Sequence, residues 1–304
     1  MMRVAIVGLG SIAQKAYLPV LTSVDGITPV LVSRTASSLD AVGDAYRIAD
    51  RFGTVEEAVK AGLDAAFVHT ASDSHPAVSA TLLRAGVPVL VDKPLALDLP
   101  SAQELVALAT ANGVSLMVGF NRRYAPAYRA LAHWQDRDVV ELNKHREHAP
   151  GPARSMVFDD FIHVVDTLRY LVPSSLDDLI TTAHTDDLGN CRRLSVQFTG
   201  HGRLAIGVMS WTAGFSHELL DVVGAGRRRQ VVDLADVIDF VGGERLIRRD
   251  GWLSASVHRG FVAMIEEFLG AVRVGRLLDA SDALVTHEVC ERLVTAAERG
   301  PKGA

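Results

Sequence analysis

Residues suited to chemistry begin at the eighth position. Gly8-Leu9-Gly10-Ser11-Ile12-Ala13 is a Gly-x-Gly-x-x-Ala turn that directly follows the apolar run Val4–Val7. Gly8 permits the tight turn, Gly10 lets the backbone approach a phosphate, and Ala13 lets the next helix pack on the strand. The first N–H groups of that helix, with the positive end of its dipole, attract phosphate. A turn of this kind holds a dinucleotide pyrophosphate, so Gly8, Gly10, Ser11 and Ile12 are the expected phosphate contacts. Redox chemistry on a nicotinamide or flavin is the first expectation. A glycine turn with no ligand is the bland alternative.

Ser33-Arg34-Thr35 closes the second strand-like run. An Asp or Glu at this place serves the ribose 2′-hydroxyl of NAD, whereas a basic or hydroxyl group suits a 2′-phosphate. Arg34 is always charged and can grip a phosphate with two donors. Ser33, Arg34 and Thr35 therefore favour NADP(H) over NAD(H), with Arg34 as a solvated loop residue the competing reading. Val91-Asp92-Lys93-Pro94 ends a later strand at the place where open α/β sheets bind ligands. Lys93 can hydrogen-bond a substrate hydroxyl there, and Pro94 is a candidate for a cis bond. The alternative is a surface lysine.

The run Asp159–Val172 reads as one apolar helix ending before Pro173. At 100° per residue, Asp159, His163, Asp166 and Tyr170 share a narrow polar stripe. Because Phe161, Ile162, Val164, Val165 and Leu168 cover most of the rest, the helix is expected to be buried with its stripe toward a cleft. An Asp one turn from a His can orient an imidazole for acid–base work near neutral pH. A satisfied hydrogen-bond cluster and a metal site compete, but no third ligand with clear spacing is visible and no metal is expected. His69 and His75 can line a nicotinamide pocket or cap the helix from Pro76. Asn121-Arg122-Arg123 can bind an anionic or polyhydroxyl substrate. In Lys144-His145-Arg146, strand alternation sends Lys144 and Arg146 to one face. Arg227-Arg228-Arg229 reads as a solvated hairpin tip.

These residues need elements to position them. Through residue 118, strands at Val4–Val7, Thr28–Ser33, Asp64–Thr70, Val87–Val91 and Ser115–Val118 alternate with helices at Ile12–Val24, Val55–Ala61, Pro76–Ala85 and Ser101–Asn112. Glu104, three residues after Ser101, makes a capping-box pattern, and Gly113 stops that helix. The alternation implies a doubly wound parallel sheet, a Rossmann domain over 1–121. The rest, 122–304, reads as an α+β domain with an open, mostly antiparallel sheet. Pro126–Trp134 is helical, Val139–His148 is a strand, and Pro150-Gly151-Pro152 is a loop. Strands follow at Arg193–Phe198, Arg203–Ser210, Glu218–Val223 and Arg229–Leu234. Phe261–Val274 and Asp282–Ala297 are closing helices, and Arg299–Ala304 is a loose tail.

A chain of 304 residues with 48% hydrophobic and 22% charged residues can bury two ordinary cores. Its net charge of -5 gives no electrostatic case for nucleic acid. Cys191 and Cys290 form neither a disulfide framework nor a metal spacing, so a reducing cytoplasm is expected. No apolar run is long enough to span a membrane, and Val4–Val7 is too short for a signal peptide.

Taken together, the pieces resemble the glucose–fructose oxidoreductase / inositol dehydrogenase / MocA family. They are Gly8–Ala13, Thr70 with His75, Ala85–Ala96 around Asp92-Lys93-Pro94, Gly119-Phe120-Asn121-Arg122-Arg123, and Asp159-x-x-x-His163-x-x-Asp166. Gly-Phe-Asn-Arg-Arg-Tyr-Ala-Pro and Asp-Asp-Phe-Ile-His-Val-Val-Asp look most like its MviM-type subgroup. The resemblance implies that Lys93 contacts substrate and nicotinamide, that Asp159 orients substrate, and that His163 takes the hydroxyl proton as hydride leaves carbon. Thr70, His75, Asp92 and Lys93 complete the expected cofactor contacts, and Arg122, Arg123, Lys144 and Asp160 are the expected substrate contacts. Sugars, inositols and nucleotide-linked sugars are the implied substrates, and a homodimer or homotetramer the implied assembly. Three departures stand out: Asp92 replaces the usual Glu, Ala71 replaces a Pro, and Ser155-Met156-Val157-Phe158 replaces a glycine-rich lead. The expected function is an NADP(H)- or NAD(H)-dependent oxidoreductase acting on a secondary alcohol or ketone of a sugar-like or polyol substrate. A non-catalytic dinucleotide-binding regulator, a flavin enzyme and a metal-assisted hydrolase compete.

Overall fold

The computed structural model describes residues 1–299, and the chain divides into two compact units. The first comprises Met1–Gly119 with Phe261–Leu284, and the second Phe120–Gly260 with the chain from Val285 onward.

The first unit is built on a six-stranded parallel sheet. Its strands are β1 (Met2–Val7), β2 (Ile27–Val32), β3 (Arg51–Phe52), β4 (Ala65–Val68), β5 (Val89–Asp92) and β6 (Leu116–Gly119). They lie in the order β3-β2-β1-β4-β5-β6, the doubly wound order with its reversal between β1 and β4. β4, β5 and β6 are buried from end to end, as parallel strands covered on both faces must be. A wide helical turn at Ala13–Tyr17 leads into α1 (Leu18–Leu21). The other helices are α2 (Ala36–Tyr46), α3 (Val55–Lys60), α4 (His75–Arg84) and α5 (Leu99–Asn112). Thr54 and Glu57 form a full capping box on α3.

The second unit carries a nine-stranded sheet. It is formed by β7 (Val139–Glu147), β8 (Gly151–Pro152), β9 (Ile180–Thr185), β10 (Asn190–Gly200), β11 (Arg203–Ala213), β12 (His217–Gly224), β13 (Arg227–Val232), β14 (Asp236–Phe240) and β15 (Glu244–Ile247). All its pairs are antiparallel except β7 with β11. Around it lie α6 (Pro126–Ala132), α7 (Ala153–Met156), α8 (Ile162–Leu171) and α9 (Ala255–His258). α8 lies across β7 and β11. Gly207 of β11 makes this approach possible, since a Cβ there would meet Val164 Cγ1 at 2.5 Å and Leu168 Cδ1 at 2.7 Å.

The chain returns to the first unit after Gly260, a difference from the continuous 122–304 domain expected from sequence. α10 (Phe261–Arg273) belongs to the first unit, with Phe268 edge-on to Phe67 at 5.1 Å and Phe261 edge-on to Tyr17 at 5.3 Å. α11 (Ser281–Glu298) begins in the first unit and runs on into the second. α2 and β3 fall in a stretch where no element was expected. α2 is built largely from Ala, Ser, Gly and Asp and buries only Leu39, Val42 and Gly43, too few apolar residues to show a period. α5 starts before Ser101: Asp98 is its cap and accepts from the Ser101 N–H at 2.8 Å, with Pro100 in the first turn. Gly151–Pro152 pairs with β10 where a loop was expected. Of the tail Arg299–Ala304 expected from sequence to be loose, residues 300–304 lie outside the described residues.

Candidate active site

In the first unit a cavity of about 500 Å³ opens at the carboxyl ends of β1, β2 and β4. Gly8, Gly10, Ser33, Arg34, Thr35 and Thr70, all expected from sequence to hold the cofactor, line it. Gly8 sits at φ +88°, and a Cβ there would meet the Thr70 nitrogen at 2.7 Å. Only glycine fits where the chain leaving β1 passes the chain leaving its parallel neighbour β4. At Gly10 a Cβ would meet nothing within 4 Å, so the space above this peptide is open. The Gln14 N–H returns to the Gly10 carbonyl at 3.1 Å. The N–H groups of Ser11 to Ala13 thus precede the first helical bond and suit an anion. Ser11 and Ile12 are exposed at this turn.

Buried polar atoms give an independent test of fit. Both ring nitrogens of His69 and the Thr70 hydroxyl are buried without a hydrogen-bond partner, and both residues line the cavity. Such atoms are costly unless a ligand or water satisfies them. A dinucleotide, with its amide, ribose and phosphate groups, fits that need. Burial, then the nearby His75, pushes the His69 imidazole down to about 3, so it is neutral at ordinary pH. Glu56 and Thr81 also line the cavity, though the sequence did not single them out; Glu56 carries no signal distinct from any dipole-complementing acid in a first turn.

Lys93 follows β5 and is half-buried. The turn that presents it is tightly held. The Lys93 N–H donates to Asp92 Oδ1 at 2.9 Å, and the Lys93–Pro94 peptide is cis. His75, almost fully buried, places Nδ1 2.7 Å from the Pro94 carbonyl and Nε2 3.0 Å from the Thr70 carbonyl. His75 is thus a strut between the ends of β4 and β5. Burial pushes the Asp92 carboxyl up, against the pull of Lys93 and His75.

In the second unit the stripe is not one α-helical face. Val157–Phe161 is a wide π turn between α7 and α8, so α periodicity breaks between Asp159 and His163. Lys144 Nζ reaches the Asp160 carbonyl in this turn at 3.0 Å. A side chain inserted at the backbone ladder is a known companion of such a break. Asp159 is exposed, His163 half-buried and Asp166 buried. Asp166 is held by Arg123, at 2.6 Å from Nη2, and by the Thr286 hydroxyl at 3.4 Å.

The four residues expected to touch substrate are tied into the protein. Arg123 clamps Asp166. Arg122 clamps Glu218 with two hydrogen bonds. Lys144 and Arg146, on one face of β7 as alternation requires, both bind the Asp160 carboxylate, and Trp211 Nε1 donates to it at 3.2 Å. Burial raises the Asp160 carboxyl, but Lys144 and Arg146 more than offset this and hold it well below the usual range. Burial pushes the Lys144 ammonium down to about 7 despite Asp160. Neither Glu218 nor Trp211 was legible as a partner, since each lies more than fifty residues from the group it binds. No group of three or more His, Cys, Asp or Glu suited to a metal occurs among the described residues. No helix among them is long and apolar enough to cross a membrane.

Comparison with known proteins agrees with this geometry. The oxidoreductase family with an NAD-binding Rossmann fold matches residues 2–120, and the YceM-like C-terminal domain matches residues 126–239. The chain is 37% identical over 280 residues to a Salmonella typhimurium protein that carries the name oxidoreductase YceM, with 90% of each chain covered. It is 36% identical over 181 residues to myo-inositol dehydrogenase Hyg17 of Streptomyces leeuwenhoekii, covering 56% of this chain and 55% of that one. A Gfo/Idh/MocA family oxidoreductase from Vibrio cholerae matches with a TM-score of 0.89 at 30% identity, covering 97% of this chain and 96% of that one. The chain belongs to the Gfo/Idh/MocA family of oxidoreductases, with an NAD-binding Rossmann domain and a YceM-like C-terminal domain.

Proposed function

We propose that this oxidoreductase uses NADP(H) in preference to NAD(H) and acts on a secondary alcohol or ketone of a sugar-like or polyol substrate. Arg34 carries the cofactor preference. It lines the dinucleotide cavity just past the end of β2, is exposed, and its guanidinium makes no hydrogen bond or ion pair among the described residues. No acidic residue stands beside it in Ser33-Arg34-Thr35. A bidentate guanidinium suits a 2′-phosphate, whereas Glu56, on the same lining, is the residue through which NAD(H) would compete. The name of the Streptomyces relative, a myo-inositol dehydrogenase, supports a polyol substrate.

A bound nicotinamide supplies the hydride acceptor or donor. The residues handle the rest. Oxidation removes a hydride from carbon and a proton from the hydroxyl oxygen; His163 is the residue that takes that proton, and Lys93 serves as a hydrogen-bond donor to substrate beside the nicotinamide. Asp159 holds a neighbouring hydroxyl. Gly8, Gly10, Ser11 and Ile12 hold the pyrophosphate, and Thr70, His75 and Asp92 shape the nicotinamide end. The open face of the nine-stranded sheet supports a homodimer or homotetramer: Leu204, Ile206, Val208 and Leu219 are half-buried there and Val223 exposed. Two buried, unpaired thiols, Cys191 and Cys290, support a reducing cytoplasm.

Fluorescence titration with NADPH and NADH, repeated for Arg34→Ala, tests the cofactor. NADPH should bind more tightly, and the variant should lose about tenfold or more of that affinity while keeping its NADH affinity. Equal affinities that Arg34→Ala leaves unchanged would refute the NADP preference. No binding of either nucleotide would refute the nicotinamide chemistry itself.

A further inference from the structure

The second unit holds a separate cavity of about 290 Å³ whose walls are unusually cationic. Lys144 forms part of it, an ammonium only 2% exposed, with Arg146 on the same face of β7. Arg122 contributes from the start of the unit, and Arg249 and Arg259 from the chain around α9. Three carboxylates oppose these groups. Asp160 is bound by Lys144 and Arg146, Glu218 by Arg122, and Asp233 lies 3.8 Å from His217. The carboxylates do not balance the cations. Neither the Arg249 nor the Arg259 side chain makes a hydrogen bond or ion pair among the described residues; Asp236, paired with Arg248 at 3.0 Å, accepts from the Arg249 backbone N–H and lies close enough to attract the Arg249 charge, which still leaves the cations in excess. His217 and His258 also line the cavity. A neutral polyol can only accept ordinary hydrogen bonds from such a wall, whereas an oxyanion gains charge-assisted ones, roughly twice as strong.

We propose that this cavity holds an anionic group of the substrate, a carboxylate or a phosphate, so that the substrate is an acidic or phosphorylated sugar or polyol rather than a neutral one. Sequence neighbours link the cavity to catalysis. Asp160, gripped by Lys144 and Arg146, directly follows Asp159 in the wide turn that leads to His163. An anion seated here fixes the rest of its molecule relative to that turn, an orienting device in the sense of a charged clamp. The proposal rests on the oxidoreductase function proposed above, which it narrows to a substrate class.

Isothermal titration calorimetry with glucuronate, glucose 6-phosphate, glucose and inorganic phosphate tests it. The wild type, Arg249→Ala and Arg259→Ala are compared; both arginines are exposed, so the variants should keep the fold. Glucuronate or glucose 6-phosphate should bind while glucose does not, and whichever binds identifies the anion. Each variant should weaken that binding about tenfold or more, and added salt should weaken it further. Binding of glucose with equal affinity, unchanged binding by both variants, no binding of either charged sugar, or heat from inorganic phosphate alone (an adventitious ion only) would each overturn the proposal. NADPH titration of the same samples separates the two levels. Charged-sugar binding without NADPH binding removes the redox function and leaves an anion site; NADPH binding without charged-sugar binding removes only the anion site.

Discussion

Arg122 and Glu218, 96 residues apart in sequence, form a buried two-point ion pair, Nε to Oε1 at 2.9 Å and Nη2 to Oε2 at 2.6 Å. The Tyr128 hydroxyl donates to the same carboxylate at 2.9 Å. Burial raises the Glu218 carboxyl, but the charge and hydrogen bonds of Arg122 outweigh it and bring it down to about 2. The pair ties the first residues of the second unit to β12. Glu218→Gln leaves a buried guanidinium without its counter-charge, a loss of about 3–5 kcal/mol for pairs of this kind. Urea denaturation should show that loss, and replacing both residues by Leu should recover part of it. If Glu218→Gln unfolds at the wild-type urea concentration, the pair is not structural.

Acid should destabilise the protein in two stages with different owners. His69 titrates near 3 when folded and near 6.5 when unfolded, so below about pH 6.5 the unfolded chain binds more protons. Stability from this group is complete above pH 6.5 and is lost as pH falls toward 3. From pH 6.5 to 4.5 the loss is roughly 2 kcal/mol. Glu218, depressed to about 2, adds its own loss only below about 4.5. His69→Phe should flatten the stability curve from 6.5 to 4.5 and leave the lower stage in place. A wild-type slope surviving in that window would assign it to another group.

Gly8 and Gly10 share a motif and do different work. Gly8→Ala drives a Cβ into backbone at 2.7–2.8 Å at a positive φ, so it should destabilise the fold by about 2 kcal/mol or more. Gly10→Ala meets nothing within 4 Å, so its melting temperature should hold. In the proposed binding mode its methyl occupies the space a phosphate needs, so dinucleotide affinity should fall tenfold or more. Thermal melts and NADPH titration on the same two variants separate the roles; a Gly10→Ala protein that binds NADPH normally would remove the phosphate from this turn.

The parts legible in sequence were those written in adjacent residues. β1 with Gly8–Ala13, the Asp92-Lys93-Pro94 turn and the apolar β4, β5 and β6 each carry a local pattern strong enough to stand alone. What stayed hidden was relational. Arg122, Arg123, Lys144 and Asp160 were visible as charges in the second half, but their partners Glu218, Asp166 and Trp211 come from distant strands and helices. The π turn at Val157–Phe161 was invisible because periodicity arguments assume one helical pitch, and Lys144 bonds to the Asp160 backbone from β7, sixteen residues earlier. The return of Phe261–Arg273 to the first unit left no local mark, since a helix that buries Phe261, Phe268 and Leu269 reads alike against either sheet.

Substitution of Lys93 and of His163 separates the proposed enzyme from a dinucleotide-binding regulator. Lys93 stands on a turn held by Asp92 and His75, and His163 just past a π turn, each at least partly accessible. In the proposed chemistry, such bracing suits side chains that must each present a donor or acceptor in a fixed geometry. Lys93→Met and His163→Ala should each lower kcat/KM for the best sugar or polyol substrate by about 10²–10⁴. Neither variant should shift the melting temperature by more than a few degrees, and His163→Ala should bind NADPH as the wild type does, because its loss removes a proton acceptor and no cofactor contact. The pH profile gives a second readout. If His163 takes the hydroxyl proton, the pH dependence of kcat/KM on its acidic side should disappear in His163→Ala while the residual rate persists. Full activity in both variants would mean that the acid–base work lies elsewhere; a cellular phenotype that survives both substitutions and disappears with Gly10→Ala would mean that the chain acts by binding its nucleotide.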